Sequence, residues 1–183
     1  MHRVTAMKNI VYIATSLDGY IADRDGGLDW LHSIPNPDHS DFGWAEFMAG
    51  VDALVMGRTT FETVCGFDCD WPYNKPVFVL SNTLTEIPEN YQDKAELVSG
   101  ALPEIINTLN KRGFENLYID GGKTVQSFLT EDLIDDLIIT QIPVLLGGGS
   151  RLFSDLPAHQ AYELVNSEVL LGAMIKNHYR RVR

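Results

Sequence analysis

Cationic side chains are scarce in this chain. Fourteen lysines and arginines stand against 25 aspartates and glutamates in 183 residues, a formal net charge of −11. Nothing in that balance supplies the basic face that binds nucleic acid, so no nucleic-acid partner is expected. An anionic ligand meets overall repulsion, and any phosphate site has to be built from local donors. Cysteine is scarcer still. Cys65 and Cys69 are the only two, spaced C-x3-C with no second pair to complete a zinc site, and the five histidines are scattered. A structural metal is not expected, and the two thiols read as reduced. No apolar run approaches the roughly 20 residues that cross a bilayer. Met1 to Ala6 lacks the apolar core of a signal peptide, which points to a cytoplasmic protein with no membrane partner.

What is present is an ordinary globular composition. Hydrophobic residues make up 45% of the chain, and its length fits one domain, 1–183, with a real core. Apolar strand runs appear at Ile10–Ala14, Ala53–Met56, Pro76–Leu80, Leu97–Val98, Leu117–Ile119 and Leu137–Ile142. Helical spacing appears near Phe42–Ala49, where Trp44, Phe47 and Met48 share a face, then from Arg58, at Pro103–Arg112 and at Lys123–Leu129. Leu164–Leu171 and Ala173–Val182 read as a terminal hairpin ending in solvated Arg180, Arg181 and Arg183. Strands alternating with helices and then giving way to strands predict an α/β domain. Its sheet is mostly parallel, with an antiparallel C-terminal edge.

Two strand–glycine–helix units stand out. In Met56-Gly57-Arg58-Thr59-Thr60-Phe61-Glu62, an apolar strand ends at a glycine and a helix begins. Unpaired N–H groups and the helix dipole attract phosphate there. Gly57 permits close approach, Arg58 offers a planar fork, and Thr59 and Thr60 add hydroxyls. An ordinary strand–turn–helix with a surface arginine has the same pattern. The second unit is Asp120-Gly121-Gly122, followed by Val125. Neither unit is the G-x-G-x-x-G fingerprint of a Rossmann domain.

These two stretches, in order with Ser16-Leu17-Asp18-Gly19-Tyr20-Ile21-Ala22 and Pro143-Val144-Leu145-Leu146-Gly147-Gly148-Gly149, resemble the dihydrofolate reductase superfamily. Within it the chain is most similar to the reductase domain of bacterial riboflavin biosynthesis. The resemblance spans residues 10–153 and implies a three-layer sandwich with helices on both faces of the sheet. It implies NADPH as cofactor, a small-molecule substrate and a homodimer. The implied cofactor contacts are Ala14 and Ile21 at the nicotinamide, then Gly57, Arg58, Thr59 and Thr60. Leu80, Ser81 and Asn82 come at the adenosine end, and Gly121, Gly122, Lys123, Thr124 and Val125 at the pyrophosphate. Thr140 falls where the family places a hydroxyl close to the substrate.

The chemistry implied is hydride transfer to a C=N or C=O of a pteridine- or ribosylaminopyrimidine-like substrate. Asp120 stands where dihydrofolate reductases carry an apolar residue, which argues against folate. A non-catalytic NADP-binding regulatory protein and a true dihydrofolate reductase remain the alternatives. Asp41 lies sixteen residues before Gly57 with Trp44 three after it. That matches the family's substrate-binding carboxylate and predicts a proton source with a raised pKa in a closed pocket. An N-cap is the competing reading, and Asp38 and Glu46 are rivals for the role. The Gly147–Gly149 run is either a phosphate cradle with Arg151 or a permissive loop.

Overall fold

The apolar runs become parallel strands because each is short, buried on both faces and followed by a turn or a helix. The structure, a computed structural model, describes residues 7–67 and 69–183. In chain order its strands are β1 (Lys8–Ser16), β2 (Tyr20–Ala22), β3 (Ala53–Gly57), β4 (Val77–Leu80), β5 (Ala95–Val98), β6 (Asn116–Asp120), β7 (Asp136–Ile142), β8 (Ser150–Arg151), β9 (Ala161–Leu170) and β10 (Met174–Val182). The helices are α1 (Trp44–Ala49), α2 (Arg58–Cys65), α3 (Leu102–Lys111) and α4 (Gly122–Thr130), with single 3-10 turns at Asp29–His32 and Glu89–Tyr91.

Eight strands form one sheet in the order β5-β4-β3-β6-β1-β7-β10-β9. All pairs are parallel except those of β10 with β7 and with β9. Alternation along the central strands feeds two cores. Val11, Val55, Leu117 and Ile119 pack under Leu109 of α3 and Phe128 of α4. Leu54, Met56, Val79 and Tyr118 pack under Met48 of α1 and Phe61 of α2. The result is the three-layer α/β sandwich expected from the sequence.

Three features depart from the sequence reading. Helix α1 starts at Trp44 rather than Phe42, because Phe42 and Gly43 are left-handed, with φ of 57° and 88°. The terminal arginines are not simply solvated. Arg180 joins Lys8 and His178 on the buried Asp136 carboxylate, while Arg181 pairs with Asp132 and Arg183 with Asp135. These contacts fasten the end of β10 beneath the sheet. Finally, β2 and β8 pair as a small separate sheet, Tyr20 opposite Arg151 and Ala22 opposite Ser150. Among the described residues no helix is long and apolar enough to cross a membrane, and no cluster of metal-ligating side chains occurs. Cys65 and Cys69 are both free.

Candidate active site

Strands β3 and β6 are neighbours, with Met56 beside Asp120. Each is followed by a glycine and a helix. Helices α2 and α4 leave on opposite faces of the sheet, so two helix N-termini flank one crevice at the carboxyl ends of the strands. This is the position at which open α/β sheets bind ligands. The turns are tight. A side chain at Gly57 would meet the Thr124 hydroxyl at 2.7 Å, and one at Gly121 would strike the Thr60 hydroxyl. Gly121 also has φ of 98°, which side chains other than hydrogen resist. Thr124 and Val125 are buried, so their side chains support the crevice rather than line it. Thr59 and Lys123 are exposed at its rim.

On the other side of β6 the sheet opens. The β1–β6 ladder ends at Ile10 opposite Tyr118, although β1 runs on to Ser16 and β6 to Asp120. In the gap the Tyr118 hydroxyl donates to the Tyr12 carbonyl at 3.0 Å. Strand carbonyls point the same way every second residue, so the Ala14 carbonyl is also turned into the gap. Ile21 closes the gap from above: a side chain at Gly122 would meet its Cδ1 at 2.6 Å.

The β1–β2 segment that carries Ile21 is pinned by Asp18. Its carboxylate accepts the Ser16 hydroxyl and the N–H groups of Leu146 (3.1 Å) and Gly147 (2.8 Å). These bonds, the Ser16 bond first, hold its pKa down to about 2. The glycine run therefore spends two of its N–H groups on an internal carboxylate. Its Gly147 carbonyl takes the Arg24 guanidinium, and the Arg151 guanidinium lies over the Tyr20 ring. Of the two readings of Gly147–Gly149, the structure favours a docked loop.

At the adenosine end, Arg58 is exposed. Its Nε donates to Glu62 and its Nη1 to the Thr83 hydroxyl, while Nη2 has no partner among the described residues. The Ser81 hydroxyl accepts N–H bonds from Thr83 and Leu84. Arg58, Ser81 and Thr83 thus form one polar cluster, with Asn82 exposed beside them and Leu80 at the end of β4. Sequence reasoning missed Thr83, whose only signal was its place in a Ser-Asn-Thr turn.

The titratable group of the site is Asp120. It ends β6 on the face of Tyr118, opposite the core-facing Ile119. Its Oδ1 accepts the Gly121 N–H at 2.9 Å. Burial outweighs that bond and pushes the carboxyl pKa up to about 6. The phenols of Tyr73 and Tyr118 are raised by burial and further by the Asp120 charge. Tyr12, Trp44, Phe47 and Tyr118 form an aromatic wall beneath α1, with the Tyr12 and Phe47 rings stacked at 4.2 Å. The sequence signal for Asp120 was an acid closing a buried strand just before paired glycines.

Asp41 departs from its expected environment. It is exposed, and its carboxylate accepts the N–H groups of Gly43 (2.9 Å) and Ala45 (3.1 Å). Those bonds, the Ala45 bond first, lower its pKa, where a closed pocket would have raised it. The carboxylate is committed to the start of α1. Asp41→Asn keeps an oxygen for the same bonds. Turnover and melting temperature of that variant should stay within about twofold and about 2 °C of the parent, since surface changes are usually within about 0.5 kcal/mol. A hundredfold loss of rate would return Asp41 to the chemistry. Thr140 is half-buried and stands beside Ala14 across β1 and β7.

Against known proteins, the model of the RibD C-terminal domain family matches residues 8–175. A crystal structure from Shewanella sp. PV-4, provisionally named a riboflavin biosynthesis protein, is 58% identical. It superposes with a TM-score of 0.95 over 97% of this chain and 100% of that one. The diaminohydroxyphosphoribosylaminopyrimidine deaminase/5-amino-6-(5-phosphoribosylamino)uracil reductase of Thermotoga maritima is 17% identical, with a TM-score of 0.74 over 97% of this chain and 57% of that longer one. Dihydrofolate reductase from Enterococcus faecalis, complexed with NADP(H), is 19% identical, with a TM-score of 0.67 over 96% of this chain and 97% of that one. The last two share the fold.

Proposed function

The chain belongs to the RibD C-terminal domain family, and from that premise we propose that it is an NADPH-dependent reductase of a small planar heterocycle, pteridine-like or ribosylaminopyrimidine-like. The observation that carries the reading is the parting of β1 and β6 beside the double-glycine crevice. It leaves a slot bounded by Ala14, Ile21 and Asp120, and the slot runs into two helix N-termini and the Arg58 cluster. A long molecule with an amide at one end, a pyrophosphate in the middle and a phosphate at the other fits that sequence of donors. When bound, NADPH supplies a hydride.

The residues of this chain do the rest. Ala14 and Ile21 hold the reacting ring in place, and proximity and orientation of this kind carry much of the barrier reduction. Asp18 keeps the covering segment closed and water out. Asp120, protonated below about pH 6, donates the proton that the reduced C=N or C=O requires. Thr140 and the aromatic wall orient the substrate ring.

The test follows NADPH absorbance with pterins, ribosylaminopyrimidines and simple carbonyls as substrates. Oxidation with a heterocycle, lost in Asp120→Asn, is the expected result. Tight NADPH binding without turnover on any of them would favour a non-catalytic NADP-binding protein. Arg58→Ala should weaken NADPH about tenfold or more while NADH changes less than twofold, because a charge-assisted hydrogen bond contributes roughly 1.5–3 kcal/mol. Equal losses for both cofactors would remove Arg58 from the 2′-phosphate.

The reading includes a homodimer. The edge strand β9 and its hairpin expose Leu164 (58%), Val169 (67%) and Ile175 (44%), and a long apolar edge invites pairing with a second copy. Light scattering should give twice the chain mass at micromolar concentration, and Val169→Asp should halve it. A monomeric parent would end this part of the reading.

A further inference from the structure

A second cleft of about 440 Å³ opens beside Tyr12, on the side of α1 turned toward β9 and β10. Strand register lays its floor. Ala14, Thr140, Lys176 and Glu168 form one row across β1, β7, β10 and β9. Tyr12, Ile138, His178 and Asn166 form the next row on the same face. Two residues of strand advance about 7 Å, so the cleft begins one row from the slot that Ala14 and Thr140 border. Its roof is the segment leading into α1, including Ser40 and Glu46.

The polar groups in this cleft are mixed in kind and largely neutralised. Lys176 donates to the Phe42 carbonyl at 2.7 Å and stands over the Tyr12 ring, 5.2 Å from its centroid. The His178 ring is held by Asp136 at 2.9 Å. Glu46 and Glu168 both face the opening. The Tyr12 phenol is raised by burial and then by the charges of Asp41 and Glu168. An anion entering here meets carboxylates and a lysine already engaged. A foreign cation finds the aromatic face taken by Lys176. Hydroxyl groups both donate and accept, and Ser40, Asn166 and Glu168 offer partners of both kinds. A phosphate finds no better receptor at the Gly147 loop, where Asp18 holds the N–H groups of Leu146 and Gly147.

We infer that this cleft takes an uncharged, hydroxyl-rich chain carried by the substrate, a polyol of ribityl size, and that it discriminates against the phosphate ester of that chain. The inference rests on the reductase reading for the place of the reacting ring, and it narrows the substrate to an unphosphorylated class.

Three probes test it by calorimetry on the NADP-saturated protein: a pyrimidine bearing a ribityl chain, the terminal phosphate ester of that compound, and the pyrimidine without the chain. The ribityl compound should bind about tenfold more tightly than the bare ring, the yield of one or two net hydrogen bonds. The phosphate ester should bind more weakly than the ribityl compound. Asn166 and Glu168 lie exposed on the edge strand. Asn166→Ala and Glu168→Ala should therefore fold normally and lose the ribityl increment, with bare-ring and NADPH affinity intact. Glu168→Gln should narrow the penalty on the ester. A phosphate ester that binds best, or a ribityl increment that is absent or survives in both alanine variants, overturns the inference. NADPH titrated alone separates the two readings. Failure to bind NADPH, with the ribityl increment still dependent on Asn166 and Glu168, would sink the reductase and leave the cleft.

Discussion

Asp120→Asn should lower the rate of hydride transfer by roughly 10²–10⁴-fold, the usual loss when an acid–base group is removed. NADPH affinity should change little, because the amide keeps the Oδ1 acceptor for the Gly121 N–H. Two further measurements separate this role from a structural one. In the parent, the rate should fall as pH rises through about 6, since the donor is the protonated form and burial places its pKa there. Stability should move the other way on substitution. A carboxyl whose folded pKa lies above its unfolded value near 3.8 favours the folded state fully below the unfolded pKa. That contribution is lost as pH rises through the folded pKa. At about pH 8 the parent therefore carries an unfavourable buried charge worth on the order of 3 kcal/mol. The asparagine variant should melt at a higher temperature there while being far slower. A variant that is both active and no more stable would take Asp120 out of the reaction.

Gly122→Val should reduce NADPH affinity about a hundredfold in a protein that still folds. Gly122 opens α4 with ordinary backbone angles, and the atom nearest an added Cβ is the flexible Cδ1 of Ile21 at 2.6 Å. The larger side chain displaces Ile21 and fills the space between it and the helix start. Overpacking of that kind costs roughly 1–3 kcal/mol, at the place where a pyrophosphate approaches the backbone. Gly121→Ala is the contrasting variant. It combines φ of 98° with a clash on Thr60, so it should lose stability as well as affinity. Unchanged NADPH affinity in a folded Gly122→Val protein would leave the second glycine turn without a ligand.

The parts of this architecture that were legible in the sequence are those set by local chemistry. Met56-Gly57-Arg58 and Asp120-Gly121-Gly122 announce their turns because a strand ending in glycine before a helix needs no distant partner. The strands and the terminal hairpin followed from apolar runs and turn residues. What was not legible depends on contacts far apart in the chain. Asp18 is read by the N–H groups of Leu146 and Gly147, more than 120 residues away. The parting of β1 from β6 follows from how the two strands diverge, and no residue marks it. Arg180, Arg181 and Arg183 looked solvated because their partners Asp132, Asp135 and Asp136 lie on another strand and its approach. Asp41 was ambiguous for a different reason. An acid at a helix start caps the helix or serves a ligand, and only the bonds to Gly43 and Ala45 decide between them. Asp120 announced a departure from folate reductases but not its burial, which is a property of the assembled sheet.

The central claim is that the slot between β1 and β6, continued through the glycine crevice to Arg58, is an NADPH site. Calorimetric titration of the parent protein with NADPH and with NADH tests it most directly. The account predicts one NADPH per chain with a dissociation constant of about 10 µM or lower, and NADH weaker by about tenfold, a difference near 1.4 kcal/mol. No heat of binding for either cofactor, or equal affinity for both, would contradict it.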